Sequence, residues 1–96
     1  MAEFRLTPAA QADVEAIFDH GVAAWGLPQA MAYTDRIEAA LHATAGAPMQ
    51  APSCDHIRSG YRRRSVGQHV IFFRPTEYGV AVVRILHRRM DPLLNL

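Results

Sequence analysis

The chain has 96 residues, half of them hydrophobic and a fifth charged, with a formal net charge of +1. That balance excludes intrinsic disorder, and the length predicts a single domain over residues 1–96. The longest apolar runs, 70–73 and 80–83, fall far short of the roughly 18–20 residues a membrane helix needs. A lone cysteine, Cys54, excludes an internal disulfide and an ordinary cysteine zinc site. With no secretory signal visible, a cytoplasmic setting is expected.

Residues 3–6 alternate polar and apolar and predict a short strand. Thr7 and Pro8 then predict a helix start, with Thr7 as N-cap and Pro8 in the first turn, where its missing N–H costs nothing. Val14, Ile17, Phe18, Gly21 and Trp25 mark one helical face. Gly21 in mid-helix costs about 1 kcal/mol against alanine, which a close helix–helix approach would explain. Gly26 ends this helix and Pro28 opens a second. Tyr33, Ile37, Ala40, Leu41 and Ala45 form its apolar stripe, and Gly46 with Pro48 stops it. The short connection predicts an antiparallel helical hairpin.

Residues 46–60, rich in Gly, Pro and Ser, predict a loop. Three strands follow at 61–66, 69–74 and 80–87, joined by turns at 67–68 and 75–79, which predicts an antiparallel meander. The tail 88–96 is too short for another substantial helix. The order strand–helix–helix–strand–strand–strand is α+β, with the hairpin packed on one face of a small, mainly antiparallel sheet. Strict alternation in the last strand sends Ala81, Val83, Ile85 and His87 one way and Val80, Val82, Arg84 and Leu86 the other. The second face, with Arg84 among aliphatics, has no expected cover from its own chain and predicts a partner surface. Trp25, Phe18, Phe72 and Phe73 are expected in the core.

All ten basic residues are arginines. The first fifty residues carry two of them against six acids, net −4, and the remainder carries eight against three, net +5. The basic C-terminal half is suited to an acidic protein partner or to phosphates. His20, His42, His56 and His69 show no metal-ligand spacing, and no phosphate loop, Ser–His–Asp order or HExxH motif is present. No metal or other cofactor is expected.

Four stretches carry a family resemblance: residues 6–14 (LTPAAQADV), Trp25-Gly26, residues 57–63 with 66–74 (IRSGYRR and VGQHVIFFR), and residues 83–91 (VRILHRRMD). Together they resemble the ParE toxins of the ParE/RelE superfamily, the toxic half of bacterial type II toxin–antitoxin systems. The resemblance implies a RelE/ParE-like fold. It also implies a hetero-oligomer with a ParD-type antitoxin, and DNA gyrase poisoned by stabilising its DNA-cleaved complex, with no catalysis by the toxin. Neither a membrane nor sequence-specific DNA binding by the chain alone is expected.

Under that reading Arg84, His87, Arg88, Arg89 and Met90 are the target-binding candidates. Arg62, Arg64, Arg74 and Arg84 are the antitoxin-binding candidates. The alternative within the superfamily is a RelE-like, ribosome-dependent mRNA endonuclease, which needs an acid–base group and a cation for the phosphorane charge. His87, Arg84 and Arg62 are the candidate set for that chemistry. The chain lacks lysine altogether, and no tyrosine follows Tyr78. These departures from the RNase pattern weigh against it. A third possibility is a toxin fold that has lost toxicity and only binds its antitoxin.

Overall fold

The computed structural model describes residues 2–96, and among these four strands, two long helices and a short C-terminal helical turn form the framework. In order these are β1 (Glu3–Leu6), α1 (Pro8–Trp25), α2 (Leu27–Gly46), β2 (Arg62–Val66), β3 (His69–Thr76), β4 (Gly79–His87) and α3 (Pro92–Asn95). Thr7 caps α1 as its sequence demands: the backbone N–H of Ala10 donates to its Oγ1 at 3.1 Å. Gly26, at φ +91°, closes α1 and starts α2 at once, which makes the hairpin. Gly21 is buried there, and a Cβ on it would lie 3.2 Å from that of Ala30. Close helix contact is therefore its role.

The sheet order is β1-β4-β3-β2, with β2–β3 and β3–β4 antiparallel and β1 parallel to β4. The hairpin lies on one face. Ile37, Leu41 and Ala45 of α2 and Ala10 of α1 meet Ile71, Phe73, Val80, Val82 and Ile85 in the main core.

Two details depart from expectation. In β4 the register slips at Val83: Phe72 pairs with Arg84 but Phe73 pairs with Val82. This bulge reverses the alternation, so Val80, Val82 and Ile85 all join the helix-side core while Leu86 joins Phe72 on the opposite side. The opposite face is also covered by its own chain. Cys54, Phe72 and Leu86 are buried there beneath Ile57, Tyr61, Val70 and the C-terminal Leu96. The loop that supplies Cys54 is fastened by Cys54 N–H to the Tyr61 carbonyl (2.9 Å) and by Gly60 N–H to the Asp55 carboxylate (2.8 Å). The second bond draws the Asp55 carboxyl below its usual range.

Where β1 stops, α1 completes the edge of β4. Thr7 N–H donates to the Val82 carbonyl (3.0 Å), and the Thr7 hydroxyl donates to that of Val83 (2.8 Å). The Asp13 carboxylate then accepts the N–H of Ile85 (2.9 Å). The bulge and the start of α1 thus share one backbone seam, which positions the end of β4.

Candidate functional site

Arg84 follows the bulge. Its Nε and Nη2 donate to the two carboxylate oxygens of Asp13 at 2.7 and 2.9 Å, and its Nη1 donates to the Asn95 carbonyl at 2.8 Å. The pair is largely shielded, with 26% of the Arg84 and 14% of the Asp13 side chain exposed. The bidentate bond to Asp13 raises the Arg84 pKa further. Arg84 therefore ties α1, β4 and the C-terminal turn together. Arg58 holds the same tail through a bond to the Leu96 carbonyl (3.0 Å).

Beyond Arg84, the end of β4 opens on a cavity of about 380 Å³ between α1 and the adjoining ends of β3 and β4. Ala16, Ile17 and Ile85 give it apolar walls. Trp25 and Met90, 45% and 40% exposed, line it as well. The exposure of Trp25 corrects its expected place in the core: it ends α1 at the tip of the hairpin and lines the open cavity instead of being enclosed. Three imidazoles, His20, His69 and His87, share the lining.

His69 and His87 are direct cross-strand partners, with ring centroids 5.4 Å apart and nearly perpendicular. Tyr33 on α2 fixes one of them. Gln68 N–H donates to the Tyr33 hydroxyl oxygen at 3.0 Å, while Nδ1 of His69 lies 2.6 Å away and the Val66 carbonyl 3.4 Å. The hydroxyl accepts from Gln68 and has one proton to give, to Nδ1 of His69 or to the Val66 carbonyl, so the three groups hold the His69 ring against α2. This contact needs Gly67, at φ +56°, because a Cβ there would lie 2.7 Å from the Tyr33 ring and hydroxyl. Burial, then the neighbouring imidazoles of His87 and His20, push His69 below its ordinary pKa of 6.5, with Asp13 opposing weakly.

A half-buried histidine whose pKa is lowered has a linkage consequence. The unfolded chain binds a proton on this ring near pH 6.5 while the folded chain still resists it, so stability falls as pH drops below that point. His69→Gln keeps an acceptor for Tyr33 and removes the titration. Urea midpoints measured between pH 7.5 and 5 should fall less steeply for this variant than for the parent, and equal slopes would contradict the assignment.

The candidates from sequence distribute unevenly. His87 and Met90 line the cavity, and Arg88 and Arg89 follow as exposed residues without an ion-pair partner among those described. Arg62 donates to the Ala51 carbonyl (2.6 Å) at the outer edge of the sheet. It sits four rungs along the strands from the His69–His87 pair, roughly 13 Å, and two strands across. The structure therefore does not bring Arg62 to His87. Arg64 alternates with exposed Arg63 on β2, and Arg74 is exposed on β3. Among the described residues, no group of three His, Cys, Asp or Glu side chains is placed to hold a metal ion, and no helix is long and apolar enough to cross a membrane.

Asp13, His20, Trp25, Tyr33 and His69 build this site without standing out in the sequence as functional. The hairpin turn at 67–68 puts His69 at a strand start, which was a usable signal. The partner of that strand position depends on a bulge that no local pattern displays.

Comparison with known proteins agrees with this architecture. Residues 4–92 match the family model described as "ParE toxin of type II toxin-antitoxin system, parDE". The chain is 43% identical to Toxin ParE1 of Mycobacterium tuberculosis (strain H37Rv), over 99% of this chain and 98% of that one. It is 32% identical to Toxin ParE1 of Caulobacter vibrioides, over 100% and 99%. A solved structure titled "Chromosomal ParDE TA system from P. aeruginosa" superposes with a TM-score of 0.78 at 22% identity, covering 91% of this chain and 96% of that one, and so shares the fold.

Proposed function

Because the chain belongs to the ParE toxin family of type II toxin–antitoxin systems, we propose that it poisons DNA gyrase and is neutralised by a ParD-type antitoxin. The observation that carries this reading is the match to proteins named Toxin ParE1 over essentially the whole length of both chains. The mechanism is binding rather than catalysis. A toxin with higher affinity for gyrase that holds cut DNA than for gyrase that has resealed it shifts the population towards the cut state. Moving that equilibrium from mostly resealed to mostly cut takes a preference on the order of 10⁴-fold.

The target surface is the end of β4 and the segment after it: His87, Arg88, Arg89 and Met90. Arg84 contributes by holding that segment in place through Asp13 and Asn95. Arg64 and Arg74 are free of ion pairs among the described residues and supply positive charge for the carboxylates of an antitoxin. The two proteins form a hetero-oligomer in the cytoplasm.

A reaction of purified gyrase on supercoiled plasmid, stopped with detergent and protease, tests the proposal. Linear DNA should accumulate with the toxin and disappear when the antitoxin is added first. Arg88→Ala/Arg89→Ala should raise the toxin concentration needed by about tenfold or more. Unchanged plasmid with folded toxin that still captures its antitoxin would overturn the gyrase assignment. Cleavage of mRNA on translating ribosomes would replace it with the RelE-like activity.

A further inference from the structure

We propose that the cavity between α1 and the ends of β3 and β4 is a binding site for a small apolar carboxylic acid. Two imidazole rings in its lining are held in place. Nδ1 of His87 accepts the N–H of Arg89 at 3.2 Å, so neutral His87 carries its proton on Nε2. Nδ1 of His69 lies 2.6 Å from the Tyr33 hydroxyl, which can donate to it. Nε2 of each ring has no hydrogen-bond partner among the described residues, and the two rings are 5.4 Å apart in the cavity lining. A bound carboxylate selects the form in which Tyr33 donates to His69, so that both rings offer an Nε2–H. Two neighbouring N–H donors suit the two oxygens of a carboxylate.

The rest of the cavity selects the remainder of the ligand. Asp13 is the one carboxylate in the lining, and Arg84 and the Ile85 N–H already occupy both of its oxygens. A cationic ligand thus finds no free anion there, while an anionic one also has Arg88 and Arg89 close by in the chain. Ala16, Ile17, Trp25, Ile85 and Met90 offer an apolar body a place to bury its surface. A volume of about 380 Å³ lies in the range of small-molecule sites. A bare phosphate would leave those walls unused, and an apolar amide would leave the paired donors only partly engaged.

The test uses the full chain, with 3-phenylpropionate as probe and Trp25, its only tryptophan, as fluorescent reporter at the cavity. The acid should give a saturable change in Trp25 emission and bind about tenfold or more tightly than 3-phenylpropanamide, the gain typical of a hydrogen bond to a charged group. His87→Ala should remove most of that difference, weakening the acid more than the amide. His87→Gln, whose amide N–H falls near the position of Nε2, should restore part of it. Melting curves confirm that both variants are folded, and His69→Ala, which removes the other Nε2, serves as a second variant with the same expected direction should His87→Ala be unstable.

No saturable response to the acid would overturn the proposal. So would equal affinity for acid and amide, or tighter binding of 3-phenylpropylamine. Trp25 emission that responds to an antitoxin but never to the free acid would also overturn it, making the cavity a protein-docking site. The proposal does not depend on gyrase poisoning, so a negative gyrase assay leaves it standing.

Discussion

Gly79→Ala is expected to destabilise the protein by about 3–5 kcal/mol, a large share of what a domain of this size possesses. Gly79 starts β4 at φ +142°, a conformation that L side chains rarely adopt. A Cβ there would stand 2.0 Å from the carbonyl oxygen of Glu3 and 2.8 Å from its backbone nitrogen. Both are main-chain atoms of the neighbouring parallel strand, so no side chain can swing aside to relieve the clash. The alternatives are to push β1 away from β4 or to shift the Glu3–Gly79 register on which the pairing of Phe4, Arg5 and Leu6 depends. Gly46→Ala is the control, because it has open space around it and no positive φ. Urea unfolding should place the Gly79→Ala midpoint far below that of the parent and leave Gly46→Ala within about 0.5 kcal/mol of it or above. Equal stability of the two variants would show that β1 does not lie against Gly79.

The helical hairpin and the order of elements were legible in the sequence because each rests on a local rule. Thr7-Pro8 starts one helix, Gly26 with Pro28 separates it from the next, and the 67–68 turn joins two alternating strands. The parallel docking of β1 on β4 was not legible, since nothing within residues 3–6 names a partner more than seventy positions away. Strict alternation places Leu86 and Ile85 on their observed faces but puts Val80 and Val82 on the wrong one, for a related reason: a bulge is set by tertiary fit, and strict alternation assumes its absence. Trp25 was misplaced because a helical stripe identifies a face but does not say how far along the helix the core extends. The expected bare sheet face was covered by the 51–61 loop and the C-terminal tail, whose composition announces only irregular structure. At the site, the basic end of β4 was visible as charge. The cavity was not, because its imidazoles come from α1, β3 and β4 and meet only in the folded chain.

The partner of Arg84 shows the same limit, and it carries the second large effect. An arginine inside an apolar strand requires a counter-charge or water, but only the fold identifies Asp13, 71 positions earlier, as that group. Asp13→Ala removes three acceptor contacts at once: two from the Arg84 guanidinium and one from the Ile85 N–H at the open edge of β4. A part-buried guanidinium and a backbone donor lose their partner together, and the expected cost is about 2–4 kcal/mol. Asp13→Asn should fall between this variant and the parent, since its amide oxygen can still accept one of those bonds. Arg84→Met should cost less than Asp13→Ala. It removes the charge along with its need for compensation, and it leaves Asp13 able to hold the Ile85 N–H. In the double variant Asp13→Ala/Arg84→Met, the loss should be smaller than the sum of the single losses by about 1–2 kcal/mol. Urea denaturation of the four proteins measures the cycle. Additive losses, or an Asp13→Ala variant within 0.5 kcal/mol of the parent, would show that the pair does not anchor β4. Hydrogen exchange at Ile85 then separates the two roles of Asp13. Its amide should exchange much faster in Asp13→Ala than in Arg84→Met, because only the first loses the group that caps the strand edge.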